Sequence, residues 1–118
     1  MICRTFFHLS GPGDSASSSA PRELPAGQVW SDLVACLADE DDYVGLMDTD
    51  DNVLQITREP EDDTFRVELL MTSRQDALSQ VLSGADTRTL LQRLPSRFTP
   101  ASLAGFGFGS GPSQSEAG

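Results

Sequence analysis

The fold of this chain is decided by residues 43–71, which read YVGLMDTDDNVLQITREPEDDTFRVELLM. Three apolar runs within this stretch predict β-strands, at residues 43–47, 53–57 and 64–71. In the third run, Phe65, Val67 and Leu69 alternate with more polar residues, which is typical of a strand that buries one face. The two intervening segments are rich in Asp, Asn and Glu, so they predict turns. The simplest connection of three such strands is an antiparallel meander.

An amphipathic pattern before the meander predicts a helix. Four apolar residues follow the spacing of one helical face, namely Trp30, Leu33, Val34 and Leu37. They predict a short helix over residues 29–38, in which Trp30 is a core residue.

Two further helices are predicted after the meander. Thr72 and Gln75 have the spacing of a capping box, and apolar residues between 77 and 82 then mark one helical face. Asp86 is the predicted N-cap of a third helix, which directs leucines inward and stops at Pro95.

The composition divides the 118-residue chain into four parts, all within the size of one domain. These are an N-terminal strand (1–9), a Ser/Pro/Gly-rich flexible segment (10–27), an α+β core (28–103) and a disordered Gly-rich tail (104–118). The predicted fold class is α+β, with an antiparallel three- to four-stranded meander sheet and helices packed on one face.

The charge of the chain excludes several classes of partner. Eighteen acidic residues against eight basic ones give a formal net charge of -10, which disfavours nucleic acid and anionic membranes. All eight basic residues are arginine. The lack of lysine excludes Schiff-base chemistry and the phosphate-binding loop that depends on lysine.

The acidic residues are concentrated in the meander. Eleven of them fall within residues 39–63, where Arg58 is the one basic residue, so this segment holds the whole net charge. An antiparallel meander places its acidic segments at both ends of the sheet, as two acidic rims. We predict that ten of these carboxylates bind a basic partner: Asp39, Glu40, Asp41, Asp42, Asp48, Asp50, Asp51, Glu61, Asp62 and Asp63. The alternative is that they serve solubility and block strand edges.

No residue pattern indicates catalysis, a metal centre or a cofactor, and we predict a protein that is not an enzyme. His8 stands without a nucleophile motif, and Cys3 and Cys36 are predicted to be free thiols. Residues 48–59 match several oxygen-ligand positions of a calcium-binding loop. Val53 occupies the position where that loop needs glycine, so any calcium binding there is expected to be weak. The start of the sequence has no long apolar stretch, which predicts a cytoplasmic protein.

Several motifs together resemble a bacterial immunity-protein family of polymorphic toxin systems, the first one catalogued (Imm-one). The resemblance covers residues 30–103 and rests on Trp30-Ser-Asp-Leu33, Tyr43-Val-Gly-Leu-Met47, an acidic turn, Leu54-Gln55, Phe65-Arg-Val-Glu68 and a capped amphipathic helix. It implies a non-enzymatic protein that binds and neutralises a cognate toxin, often a nuclease, inside the producing cell. An acidic surface that faces a basic toxin agrees with the charge distribution.

A second binding function stays open at this point, that of an acidic cytoplasmic chaperone for a secreted effector. Such a chaperone holds an unfolded segment in apolar grooves, so its affinity depends weakly on salt. An immunity protein that binds through carboxylates depends strongly on salt.

Overall fold

The computed structural model of the chain describes residues 2–11, 14–17, 19–60, 63–72 and 77–108. It shows a small α+β fold with an antiparallel sheet of seven strands. The strands are β1 (Ile2–Leu9), β2 (Asp14–Ala16), β3 (Arg22–Pro25), β4 (Tyr43–Met47), β5 (Val53–Arg58), β6 (Thr64–Leu70) and β7 (Ala77–Ser83). Their order is β2-β1-β4-β5-β6-β7, and β3 pairs with β1 alongside β2.

The predicted meander is confirmed as β4, β5 and β6, with antiparallel pairing throughout. The predicted number of strands, three to four, is wrong because four further strands join the sheet. The N-terminal strand is one of them, and it pairs with β4 from Arg4 opposite Met47 to His8 opposite Tyr43. The N-terminal strand therefore lies inside the sheet.

The segment 10–27, which we expected to be flexible, contains β2 and β3. Both strands pair with the outer side of β1, β2 along residues 7–9 and β3 along residues 2–5. Ser- and Pro-rich sequence has little strand propensity. The segment forms strands because the backbone N–H and C=O groups on the outer side of β1 are available to pair with it.

The predicted helix over residues 77–84 is wrong, because residues 77–83 form the strand β7. All seven residues of β7 pair with β6, from Leu70 opposite Ala77 to Thr64 opposite Ser83. Leu78 and Leu82 fit a helical face, but they also alternate with residues on the opposite face of a strand. Pairing with β6 decides between the two. The capping box at Thr72 and Gln75 lies partly outside the described residues.

The predicted third helix is confirmed over Gly84–Gln92, but its N-cap is Ser83 and not Asp86. The Ser83 hydroxyl accepts a hydrogen bond of 3.1 Å from the backbone N–H of Asp86. Leu90 and Leu91 are buried on the inner side of this helix.

The predicted first helix is confirmed as an irregular helical segment. It consists of an α-helical turn at Ala26–Gln28, a π-helical stretch at Val29–Leu33 and a 3-10 turn at Val34–Cys36. Leu33, Val34 and Leu37 are buried as predicted. Trp30 is half-buried and packs edge-on against Phe65, with 5.9 Å between the ring centroids. This contact joins the helical segment to the sheet.

One hydrophobic core lies between the helices and one face of the sheet. Alternate strand residues such as Phe7, Leu46, Ile56 and Val67 are fully buried there. The residues between them face outward from a sheet face that the described helices leave uncovered. Residues 104–108, which we expected to be disordered, include a 3-10 turn at Ala104–Phe106 and the buried Phe108. An aromatic ring in the core holds this part of the tail in place.

Gly45 lies at a position on the outer face of the sheet that has no room for a side chain. It lies opposite Phe6 in the pairing of β1 with β4, and a Cβ at Gly45 would overlap the Phe6 ring. The glycine therefore lets an aromatic ring lie flat across the middle of the sheet.

We expect Gly45→Ala to lower the free energy of unfolding by about 1 to 3 kcal/mol, because the added methyl group displaces the Phe6 ring. Urea unfolding followed by circular dichroism measures this. Gly27→Ala is the matched control, since a Cβ there meets nothing within 4 Å. Equal losses in the two variants would contradict the close contact at Gly45.

Candidate functional site

The sheet brings the acidic segments to two opposite ends, as the meander predicted. β4 starts and β5 finishes at one end, where residues 39–42 and 58–60 meet. The β4–β5 turn, residues 48–52, lies at the other end. We call the first surface the acidic end and define it by the following residues: Asp39, Glu40, Asp41, Glu59 and Asp63.

Asp42, one of the predicted partner contacts, is fully buried and presents no surface to a partner in this structure. Its carboxylate accepts hydrogen bonds from the backbone N–H groups of Ser10 (2.9 Å), Ala38 (3.0 Å) and Asp39 (3.2 Å). These bonds tie the end of β1 to the loop that enters β4. Asp42 is a structural residue that shapes the acidic end from beneath.

The protonation of Asp42 follows from the same contacts. Burial alone would raise the pKa of the carboxyl group, but the backbone hydrogen bonds from Ser10, Ala38 and Asp39 outweigh it and lower the pKa to about 2. The charged form is therefore the one that the fold stabilises.

Asp48 is the second buried carboxylate, and it organises the β4–β5 turn. It accepts hydrogen bonds from the backbone N–H groups of Asp50 and Asn52, both at 2.8 Å, and from that of Phe98 at 2.7 Å. Burial opposes ionisation of Asp48, but these hydrogen bonds, with one from the Asn52 side chain, lower the pKa. Asp48, also a predicted partner contact, likewise presents almost no surface to a partner.

The exposed acids of the β4–β5 turn are paired with arginines from distant parts of the chain. Arg4 Nη2 lies 3.1 Å from Asp51 Oδ1, and Arg97 Nε lies 3.5 Å from Asp50 Oδ2. Arg4 also donates a hydrogen bond to the carbonyl oxygen of Asp48. The charges of this turn are therefore largely offset by positive charges within the molecule.

Among the residues that the structure describes, fewer carboxylates are paired with arginines at the acidic end than at the β4–β5 turn. Asp39, Glu40, Arg58 and Glu59 line a cleft of about 370 Å³ between the loop before β4 and the end of β5. Glu59 accepts a 2.8 Å hydrogen bond from Arg66 Nε and is mostly buried. The side chains of Asp39, Glu40 and Asp41 are exposed.

The second turn adds Asp63 to this end. Asp63 has a positive φ of 57°, and its carbonyl oxygen accepts a 2.8 Å hydrogen bond from the N–H of Gly84. The carboxylate of Asp63 lies so close to Gly84 that a Cβ there would overlap it. Glu61 and Asp62, two further predicted contacts, lie outside the described residues.

The geometry does not favour the calcium loop. The side-chain oxygens of Asp48 and Asn52 accept hydrogen bonds from backbone N–H groups. Glu59 follows β5 at the opposite end of that strand, away from Asp48. Across the ranges that the structure describes, no three His, Cys, Asp or Glu side chains are grouped for a metal ion.

The nucleophilic and titratable candidates are dispersed. His8 is exposed on the outer face, with its ring centroid 6.2 Å from that of Tyr43. Cys3 is buried and burial raises the pKa of its thiol, whereas Cys36 is exposed. These groups do not converge on one position.

A cleft at the opposite end from the acidic end was missed by sequence reasoning. It has a volume of about 290 Å³ and a mainly apolar lining, which includes Ile2, Met47, Leu94, Pro95 and Phe98. We call it the apolar cleft. Ile2, one of the residues that line it, is 61% exposed, and no local sequence pattern indicates this cleft.

None of the helices in the described part of the chain has the length and apolarity to span a bilayer. Comparison of the chain with family models, curated proteins and solved structures finds no match.

The stability of the domain is expected to fall in acid through Asp42. The lowered pKa means that this carboxylate stabilises the fold fully above about pH 4, and that the stabilisation is lost as the pH falls toward 2. Asp42→Asn should lower the free energy of unfolding at pH 7 by about 1 to 3 kcal/mol. It should also flatten the stability profile between pH 4 and 2. Urea unfolding at a series of pH values measures both.

The matched control is Asp41→Asn, which removes an exposed carboxylate from the neighbouring position. We expect it to leave the stability at pH 7 within about 0.5 kcal/mol of the wild-type value. If Asp41→Asn and Asp42→Asn have the same pH profile, the three backbone hydrogen bonds do not stabilise the fold as described.

Proposed function

We propose that the protein is a non-enzymatic binding protein whose acidic end recognises a basic protein partner in the cytoplasm. In line with the resemblance to the immunity-protein family, we propose that the partner is a cognate toxin, most simply a basic nuclease. The observation that carries the proposal is the convergence of carboxylates from two separate segments, the loop before β4 and the β5–β6 turn, on one end of the sheet.

The cost of this arrangement supports a binding function. Neighbouring carboxylates repel one another, so a cluster lowers the stability of the domain that carries it. At the β4–β5 turn the molecule offsets its acids with Arg4 and Arg97. At the acidic end, Asp39, Glu40 and Asp41 are exposed, and the nearby Arg58 and Arg66 leave an excess of negative charge. Such an excess steers a positively charged partner toward its binding surface and accelerates association.

The buried carboxylate beneath the surface gives it a fixed shape. Asp42 holds the backbone of Ala38 and Asp39 by hydrogen bonds, so the loop that presents Glu40 and Asp41 is anchored at its base. A preorganised loop loses less conformational entropy on binding than a free one. The proposed surface therefore consists of exposed acids on a rigid support.

The chaperone function has one observation in its favour, the apolar cleft. A cleft of about 290 Å³ beside the exposed Ile2 can hold one or two apolar side chains of an extended segment. Binding there would not depend on the acidic end. The two functions are therefore separable by mutation and by salt.

We expect Asp39→Arg, Glu40→Arg and Asp41→Arg in combination to abolish capture of the basic partner, because the surface that attracts it changes sign. The measurement is affinity capture from a lysate of the source organism at low and high salt, with identification by mass spectrometry. The captured protein is then produced separately, and its binding constant is determined for each variant. Binding to the wild type should weaken at least about tenfold between 50 and 500 mM salt.

The matched control reverses exposed acids outside the acidic end, Glu23→Arg and Asp32→Arg. It should keep the binding of the wild type, and all variants should keep the wild-type circular dichroism spectrum. Asp42 is left unchanged because its loss would disturb the fold. Binding that survives both high salt and the triple reversal would overturn the proposal, and its loss on Ile2→Arg would favour the chaperone.

A further inference from the structure

The two edges of the sheet differ in how they are protected. One edge consists of β2 and β3, which have three and four residues, and β3 contains Arg22, Glu23 and Pro25. Short strands, charges and proline are the usual means by which a sheet edge avoids pairing with another chain. This edge is blocked.

The other edge is β7, and it carries none of these features. It has seven residues, all paired with β6 in an unbroken register without a bulge, and within the described residues it pairs on that side alone. Its sequence, Ala77-Leu-Ser-Gln-Val-Leu-Ser83, has no charge and no proline in a chain of net charge -10. Val81 on its outer side is 49% exposed. Its outward backbone groups form a template for a further strand.

The core-side residues of β7 match themselves in the antiparallel direction. If a twofold axis passes through Gln80, Leu78 of one copy lies opposite Leu82 of the other, and Ser79 lies opposite Val81. The leucine pairs fall on the core side of the sheet, where Leu78 and Leu82 are half-buried. A twofold interface requires such self-complementarity, since each surface meets an identical one.

Charge also favours this direction of pairing. The acidic end lies beside Ser83, because Gly84 is hydrogen-bonded to Asp63. Antiparallel pairing sends the acidic ends of two copies to opposite sides, separated by about the length of a seven-residue strand, roughly 24 Å. This is about three Debye lengths at physiological salt. Parallel pairing would bring the two negative ends together.

We propose that β7 is a dimerisation edge, where a second copy of this chain pairs antiparallel about Gln80 to form one continuous sheet. The two acidic ends remain exposed in this dimer, so the inference is independent of the proposed function and does not compete with it.

The test uses charges placed at two outward positions of β7. Ser79→Lys with Val81→Lys sets lysines opposite each other across the twofold axis, and Ser79→Glu with Val81→Glu sets glutamates opposite each other. Each double variant alone should raise the dimer dissociation constant at least about tenfold, because like charges directly opposite destabilise a strand pair. An equal mixture of the two should recover a dimer, since lysine then faces glutamate.

The matched control is Gln55→Lys with Thr57→Lys. Gln55 and Thr57 lie on β5, which pairs with the other side of β6, and they face Glu68 and Arg66. Ser79 and Val81 face the same two residues from β7. The control therefore adds the same charge to the same face away from the edge, and it should dimerise like the wild type.

Sedimentation velocity from about 1 to 200 µM follows the association, and circular dichroism checks that each variant is folded. Hydrogen exchange of the wild type provides a measurement without mutation: protection of the amides of residues 77–83 should rise with concentration. A wild type that stays monomeric over this range would overturn the proposal, and so would a mixture of the charged variants that fails to dimerise.

Discussion

Two buried carboxylates hold the ends of β4, and the rest of the sheet depends on them. A backbone N–H that is buried without a partner is costly, and a carboxylate is the side chain that can accept several such groups at once. Asp42 precedes β4 and binds the end of β1, whereas Asp48 follows β4 and binds Phe98. The N-terminal strand and the C-terminal segment are thereby joined to the meander at the strand that links them.

The strands of the meander could be predicted from the sequence because their burial has a period of two, as at Phe65, Val67 and Leu69. β7 could not, since Leu78 and Leu82 suit a helix equally well and the residue between them on the core side is Gln80. That glutamine is accommodated by a hydrogen bond to the carbonyl oxygen of Gly107, a residue 27 positions later. Information of this kind is tertiary and does not appear in a local pattern.

The same reason explains how much of the site could be foreseen. The placement of acidic segments at both ends of the sheet follows from the order of strands and turns, which local patterns predict. Which acids are buried and which are exposed cannot be predicted in this way. Asp41 and Asp42 are adjacent and chemically identical, but only Asp42 binds the backbone of Ser10. Arg4 and Arg97 reach the β4–β5 turn from distant positions. The spacing of Asp48, Asp50 and Asn52 did contain a signal, since Asp and Asn commonly bind the backbone two residues onward.

The hydrogen bond between Asp48 and Phe98 spans 50 residues and therefore has a consequence for biosynthesis. On a ribosome, β1 can pair with β2 and β3 as soon as they emerge, because these contacts are close in sequence. The turn after β4 gains its last partner only when residue 98 has also emerged from the ribosome. Domains rich in such long-range contacts fold slowly, and a growing chain exposes β6 and β7 during that interval. The hydrogen bond from Phe98 to Asp48 is therefore one of the last contacts of the sheet to form during synthesis.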